Sequence, residues 1–85
     1  MKFVEIYKTQ NDGSQTILAV CKLLGEAVVC EGDQVFINNL ESDGVWDDSV
    51  APPKKVFPKD GINFLERLHF TFTSGYLNAS EVKDE

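Results

Sequence analysis

The first 31 residues alternate between apolar and polar side chains in three runs, which two turn signals separate. The runs are residues 2–8, 15–24 and 27–31, and the turn signals lie at 11–14 and 24–27. Alternation with a period of two residues is typical of β-strands. Both turn segments contain a glycine, which tolerates the positive φ angles of tight hairpin turns. The pattern therefore predicts a three-stranded antiparallel meander.

The two turns predict a register if Asp12-Gly13 and Gly25-Glu26 are their central pairs. In that register Cys21 faces Cys30 on the neighbouring strand. One face of the meander then carries an apolar set that consists of Val4, Ile6, Ile17, Ala19, Cys21, Leu23, Val28 and Cys30. We expect this face to be buried, because both turns independently place the same apolar side chains on it.

The opposite face of the meander is mixed, but it is more apolar than a solvated sheet face usually is. Either a second element covers it or it is an interaction surface. Trp46, in the following loop, offers an aromatic anchor of the kind that dominates interface energies, although core packing is the favoured interpretation of this side chain. The candidate interaction residues are Phe3, Tyr7, Leu18, Val20, Leu24, Val29 and Trp46.

Residues 60–70 form the clearest helical pattern of the chain. Pro58 ends the preceding extended segment, and Asp60 predicts an N-cap. Phe57 is placed to fold back on Phe64, much like a hydrophobic staple. The apolar face of this helix consists of Leu65 and Leu68, joined by Ile62 or Phe64. We expect the helix to cover the meander.

The segments between the meander and this helix are less regular. Asp33 predicts the N-cap of a helix of about two turns over residues 33–41, and a buried strand over Val35–Ile37 is the alternative. Residues 41–55 predict an irregular acidic loop that Val45 and Trp46 anchor to the core, because glycine and two adjacent prolines interrupt regular structure.

The chain ends in a fourth alternating run. Residues 54–57 predict a short extended piece, and residues 73–75 predict a turn. Residues 76–82 alternate and predict a last strand, which joins the sheet beside the first strand. Residues 83–85 are expected to fray.

The C-terminal third contains a Phe-Pro-x-Asp-Gly-x-x-Phe-Leu segment and a later Phe-x-x-Ser/Gly-Tyr-Leu-x-Ala ending. In these segments the chain resembles a group of small uncharacterised bacterial proteins of about the same length. The matching residues are Phe57, Pro58, Asp60, Gly61, Phe64, Leu65, Phe72, Tyr76, Leu77 and Ala79. They are cap, turn and core residues, so the resemblance bears on the fold and implies no activity.

Together these patterns predict one α+β domain over residues 1–82, with a frayed tail at 83–85. Its sheet is an antiparallel three-stranded meander plus a C-terminal strand, with one or two short helices packed on one face. Eighty-five residues suffice for one small domain with a thin core.

The formal net charge of −6 narrows the classes of partner. It opposes binding to nucleic acid, where cationic groups neutralise phosphates, and docking on anionic membranes. No apolar run approaches the roughly 20 residues that span a bilayer, and the first residues lack the apolar core of a signal peptide. We therefore place the protein in the cytosol.

Two cysteines and one histidine leave few options for nucleophilic or soft-metal chemistry. Cys21 and Cys30 face each other in the predicted register, where a disulfide is geometrically conceivable. Two reduced, packed thiols are the favoured interpretation, because cytosolic cysteines are kept reduced. His69 lies near the C-terminal end of the predicted helix, and a catalytic Cys–His pair would require it to reach a thiol. Neither catalytic, cofactor-binding nor metal residues are assigned.

The acidic segment from Glu41 to Asp48 lacks the ligand spacing of a Ca²⁺ loop, so a solvated loop is the favoured interpretation. Three functional hypotheses remain. The leading one is a small non-enzymatic interaction or regulatory module that works through protein contacts, alone or as a homodimer. The second is an acidic inhibitor that mimics nucleic acid, and the third is a small Cys/His enzyme.

Overall fold

The computed structural model describes residues 1–40, 43–57, 61–72 and 77–84. In chain order the elements are β1 Lys2–Thr9, β2 Gln15–Leu24, β3 Ala27–Gly32, α1 Gln34–Asn38, β4 Val45–Asp47, β5 Lys54–Phe57, α2 Gly61–Thr71, β6 Leu77–Ala79 and β7 Lys83–Asp84. The strands form one sheet in the order β4-β5-β3-β2-β1-β6, and β7 also pairs with β1. Every strand pair is antiparallel. The molecule is thus mostly antiparallel sheet with one main helix.

The predicted register of the meander is confirmed. Cys21 pairs with Val4 on β1 and with Cys30 on β3. The β2–β3 turn has Gly25 at φ +64°, and Leu24 pairs with Ala27 on either side of it. Gly25 and Glu26 are therefore the central residues, as the sequence predicts.

The first turn is built differently from the prediction. Gly13 N donates to Gln10 O at 3.0 Å, so the two central residues are Asn11 and Asp12, and Gly13 follows them at φ +87°. A type I turn followed by a left-handed residue is a common hairpin connection. The register is still the predicted one at Ile6, because an extra residue in β2 compensates for the longer loop.

That extra residue is Leu18. Ile6 pairs with Ala19 but Tyr7 pairs with Ile17, so a β-bulge leaves Leu18 without an opposite residue on β1. Beyond a bulge the side chains change sides. Ile17, predicted on the buried face, is therefore half exposed, and that part of the prediction is wrong.

The bulge also determines where α1 begins. Leu18 O accepts from Asp33 N at 2.8 Å, and Gly32 at φ +139° lies against the backbone of Leu18 and Ala19. The Asp33 carboxylate then accepts from Phe36 N at 3.0 Å as the N-cap of α1. Of the two alternatives for residues 33–41, the strand is wrong and the helix is confirmed, but over Gln34–Asn38, which is shorter than the predicted two turns.

The sheet is wider than the predicted three strands plus one. Within residues 41–55, predicted as an irregular loop, Val45–Asp47 forms β4, and the predicted extended piece 54–57 is a full strand, β5. β5 pairs with β3, and β4 pairs with β5. Strands this short have weak sequence signals, because the neighbouring strand rather than the local pattern stabilises them. Val45, predicted as a core anchor, is 68% exposed.

The last strand lies beside β1, as predicted, but it is divided in two. β6 pairs with residues Ile6 to Lys8, and β7 pairs with Lys2 and Phe3. The predicted frayed tail is therefore, over Lys83–Asp84, a short strand. Asp84 also accepts from the N-terminal ammonium of Met1 at 3.1 Å.

Both helices pack on one side of the sheet. In α2, Phe64, Leu65 and Leu68 are buried, whereas Ile62 is exposed. The rings of Phe57 and Phe64 stack with centroids 4.9 Å apart, which confirms the predicted contact between β5 and α2. The buried core consists of Val4, Ile6, Ala19, Cys21, Val28, Cys30, Ile37, Phe57, Phe64, Leu65 and Leu68.

Several predicted features lie outside the described residues. These are Pro58, the N-cap Asp60, the turn at 73–75, Tyr76, Glu41 at the start of the acidic segment, and Glu85. In the part of the chain that the structure describes, neither helix has the length and apolar character required to cross a bilayer.

Candidate interaction surface

The helices leave the other side of the sheet without a packed element among the described residues. We call this side the open face and the helix-bearing side the covered face. By the register of the strands, the open face includes Phe3, Glu5, Tyr7, Ile17, Val20, Lys22, Val29, Glu31, Val45, Asp47, Lys54, Val56, Asn78 and Lys83.

Most of the predicted interaction residues lie together on this face. Phe3, Tyr7, Val20 and Val29 are half-buried there. Leu24 lies on the same side at the end of β2 and is exposed, which places it at the margin of the open face.

Two of the predicted residues lie apart from that group. Leu18 is the extra residue of the bulge, where the side-chain alternation is interrupted. Trp46 is on the covered side and packs partly against the core. Its indole Nε1 donates to Asn38 Oδ1 at 3.2 Å, so Trp46 joins β4 to α1.

Sequence reasoning missed the part of the open face that β4 and β5 contribute. Val45 pairs with Val56, and Val56 pairs with Val29, so three valines lie side by side across three strands. The sequence there, Lys-Lys-Val-Phe, does not alternate between polar and apolar residues. The alternation exists only in the structure, where Lys55 and Phe57 are buried while Lys54 and Val56 are not. Without the pairing of β5 to β3, that alternation could not be placed on either face.

Charged side chains of both signs lie between the apolar residues of the open face. Glu31 lies between two lysines, with carboxylate oxygens 3.7 Å from Lys22 Nζ and 3.4 Å from Lys54 Nζ. These side chains are more than a third exposed, so each pair contributes little to stability. Their effect is to neutralise the face locally.

A second group surrounds Glu5. Lys83 Nζ donates to Glu5 Oε1 at 2.8 Å, and the Tyr7 hydroxyl donates to the same oxygen at 2.9 Å. The bond from Lys83, and then that from Tyr7, lowers the pKa of Glu5 below its ordinary value. Burial, and then the Glu5 carboxylate, raises the pKa of Tyr7. Both directions favour a hydrogen-bonded carboxylate at neutral pH.

The covered face contains the two thiols. Cys21 and Cys30 are free and fully buried. The neighbouring Cys21 thiol, and then burial, raises the pKa of Cys30 far above the ordinary thiol range. A thiol in such an environment is inert as a nucleophile, so the arrangement is that of packed core residues.

His69 is engaged in a structural bond. Its Nδ1 lies 3.0 Å from Ser80 O, and a carbonyl oxygen only accepts, so Nδ1 carries the proton. Ser80 also binds β1, because Glu5 N donates to Ser80 Oγ and Ser80 N donates to Glu5 O. The histidine thus connects α2 to the β6–β7 segment and to β1.

Lys55 is the one charged side chain buried on the covered face within the described residues, with 3% exposure. Its Nζ donates to Asn38 O at 3.3 Å, at the end of α1, where the helix dipole favours a cation. The ammonium also lies 5.3 Å from the ring centroid of Phe57 and 5.9 Å from that of Trp46. Lys55 is therefore a structural contact between α1, β4 and β5.

A groove of about 320 Å³ lies beside the C-terminal half of α2. Its lining consists of Leu40, Phe64, Arg67, Leu68, Phe70, Thr71 and Phe72. The Arg67 guanidinium lies 5.4 Å from the centroid of the Phe64 ring. The groove is apolar, and its volume is at the lower end of the range for small-molecule sites.

Among the described residues, no group of three or more His, Cys, Asp and Glu side chains is arranged to hold a metal ion. Comparisons with protein families, with curated proteins and with solved structures found no match to this chain.

Proposed function

We propose that this chain is a small non-enzymatic interaction or regulatory module of the cytosol, which binds a protein partner through its open face. The proposal depends on one observation. Val29, Val45 and Val56 form an apolar row across three strands of a sheet face on which no described element packs. A contiguous apolar surface that is rimmed by charged residues is a common feature of interaction sites.

The charge pattern favours this function over mimicry of nucleic acid. A mimic needs rows of carboxylates that imitate the repeated negative charge of phosphates. On the open face, Glu5 lies beside Lys83, and Glu31 lies beside Lys22 and Lys54. Side chains of alternating charge fit a surface that binds a protein partner better than one that imitates nucleic acid.

The burial of the thiols weighs against the Cys/His enzyme. If that hypothesis holds, a small thiol reagent should modify Cys21 or Cys30 in the folded protein as fast as it modifies an exposed cysteine. We expect modification only at the rate of unfolding, since both side chains are buried. The likeness of the C-terminal segments to small bacterial proteins stays a prediction about the fold.

The decisive experiment compares two valines of similar exposure on different surfaces. Val45 is 68% exposed on the open face, and Val35 is 74% exposed on α1. We expect Val45→Glu to abolish self-association in light scattering, or to abolish retention of a specific partner in affinity capture, while Val35→Glu leaves both unchanged. A strictly monomeric wild type that retains no partner, or equal behaviour of the two variants, would contradict the proposal.

A further inference from the structure

The two cysteines lie directly opposite each other on the strands of the β2–β3 hairpin. Leu24 and Ala27 close its two-residue turn, and the pair that closes such a turn is hydrogen-bonded. Hydrogen-bonded and non-hydrogen-bonded pairs alternate along an antiparallel ladder. Cys21 and Cys30 lie three pairs beyond the closing pair, so they form a non-hydrogen-bonded pair.

The far end of the same ladder gives the same result. Asp33 N donates to Leu18 O at 2.8 Å, which is a bond of a hydrogen-bonded pair. Counted from that bond, Cys21 and Cys30 are again three pairs away. Cα atoms of non-hydrogen-bonded pairs are about 4.5 Å apart, which lies within the separation that a disulfide spans.

The two thiols also lie side by side in the core. Both cysteines are free, and both are fully buried on the covered face. The Cys21 thiol is the largest cause of the raised pKa of Cys30, which places the two sulfur groups next to each other. A disulfide between them can therefore form without a shift of either strand.

We propose that Cys21 and Cys30 are a redox-sensitive pair, which small-molecule disulfides convert reversibly into a disulfide between β2 and β3. One protein thiolate attacks a sulfur atom of the small disulfide and releases its other half as a thiol. The second protein thiolate attacks the resulting mixed disulfide and releases the remaining half. The protein loses two electrons and two protons, and the small disulfide becomes two thiols. Transient disulfides of this kind are the ones that cytosolic proteins use for redox sensing.

Burial determines which product the folded chain retains. Neither thiol is exposed, so the attack takes place while the core is briefly open. A small thiol attached to one cysteine has no room in a close-packed core, whereas a bond between Cys21 and Cys30 joins side chains that are already neighbours. Closure of the core therefore favours the internal disulfide over the mixed one.

The bond changes the stability of the domain and leaves the open face as it is. It closes a loop through the β2–β3 turn in the unfolded chain, which lowers the entropy of the unfolded state. We therefore expect the oxidised chain to resist unfolding more than the reduced chain does. This inference goes beyond the proposed function and does not depend on it, because both thiols lie on the covered face.

The test compares the folded and the unfolded chain in mixtures of reduced and oxidised glutathione. Each mixture is approached from the reduced and from the oxidised chain until both give the same result, and mass spectrometry then measures the disulfide, which lowers the mass by two hydrogens. We expect the equilibrium constant for the disulfide to be about tenfold or more higher in native buffer than in concentrated urea. Because folding and the bond are linked, the folding equilibrium constant should rise by the same factor on oxidation, and urea denaturation measures this. Excess reduced glutathione should restore both thiols.

Cys30→Ala is the control, since its one remaining thiol cannot close a disulfide within the chain. Oxidised glutathione should not stabilise this variant, and a rise equal to that of the wild type would overturn the proposal. So would thiols that stay free in native buffer at glutathione ratios that oxidise the unfolded chain, glutathione adducts as the main product, or an oxidised chain no more stable than the reduced one. None of these results would affect the proposed function, which the comparison of Val45→Glu with Val35→Glu tests on other surfaces.

Discussion

The two faces of the sheet have the same backbone and differ in what their side chains contact. On the covered face, the fully buried side chains of β1, β2 and β3 pack with those of α1 and α2 in one core. These side chains are Val4, Ile6, Ala19, Cys21, Val28 and Cys30. On the open face, valines and aromatics alternate with lysines and carboxylates and remain half-buried or exposed. Side-chain packing against the helices stabilises the covered face. The open face instead presents accessible apolar side chains among charges that neutralise one another.

This difference shows that period-two alternation assigns residues to faces without saying which face another element covers. The covered face is apolar enough to require a helix. The open face is neither apolar enough to require one nor polar enough to be an ordinary solvated surface. A binding partner is the simplest explanation of that intermediate character.

The largest effect should come from truncating the covered face. Leu65 is fully buried in α2, so Leu65→Ala should lower the free energy of unfolding by about 2–5 kcal/mol, through lost burial and a cavity. The matched truncation on the open face, Val20→Ala, should lower it by less than about 1 kcal/mol, because Val20 is only half-buried. Urea denaturation measures both. Equal losses would mean that the two faces do not differ as described.

The next effect concerns the bulge that positions α1 over the covered face. Gly32→Ala should lower the free energy of unfolding by about 2–4 kcal/mol, because a Cβ at φ +139° would meet the backbone of Leu18 and Ala19. Gly13→Ala is the control. It also has a positive φ, but no atom lies within 4 Å of its added Cβ, so its loss should be about 1 kcal/mol. Thermal unfolding separates the two variants, and a larger loss at Gly13 would contradict the close approach at Gly32.

A smaller effect is expected from the buried charge. Lys55→Ala should lower the free energy of unfolding by about 1–3 kcal/mol, because it leaves Asn38 O without the ammonium donor and removes the buried stem. Lys55→Met keeps most of the stem and should recover part of the loss. If urea denaturation showed Lys55→Met and Lys55→Ala to be equally unstable, the bond to Asn38 rather than the packing would account for the whole effect.

The smallest effect is the pH dependence of the open face. The pKa of Glu5 is lowered from its ordinary value of 4.5 by Lys83 and Tyr7, so its contribution is present above that value and is lost as the pH falls through the folded pKa. The pKa of Lys83 is raised from 10.5, so its contribution is present below that value and is lost as the pH rises through the folded pKa. The protection of the β7 amides, which is their exchange rate relative to the intrinsic rate at the same pH, should therefore be greatest between these limits.

Glu5→Gln tests this directly, because it removes the carboxylate and keeps the shape of the side chain. We expect weaker protection of the β7 amides at neutral pH, and a smaller loss of protection in acid. Protection that responds to pH in the same way in the wild type and in Glu5→Gln would show that another group is responsible.

The sequence determined the elements whose signals are local. The meander follows from alternation and from two turns that contain glycine, and its register at Cys21 and Cys30 follows from the same features. The position of α2 follows from the spacing of Leu65 and Leu68, and that of α1 from the Asp33 cap. Four predicted surface residues, Phe3, Tyr7, Val20 and Val29, share the open face because alternation continues along the paired strands.

Only the tertiary structure decided the rest. Whether Ile17 is buried depends on a bulge at Leu18 that Asp33 and Gly32 stabilise from another strand. β4, β5 and β7 are too short to form by themselves, so they exist because a neighbouring strand pairs with them. Trp46 and Lys55 are directed to the covered side by that pairing, and Val45 and Val56 to the open side. Local propensity acts over a few residues, whereas these choices depend on contacts between segments far apart in the chain.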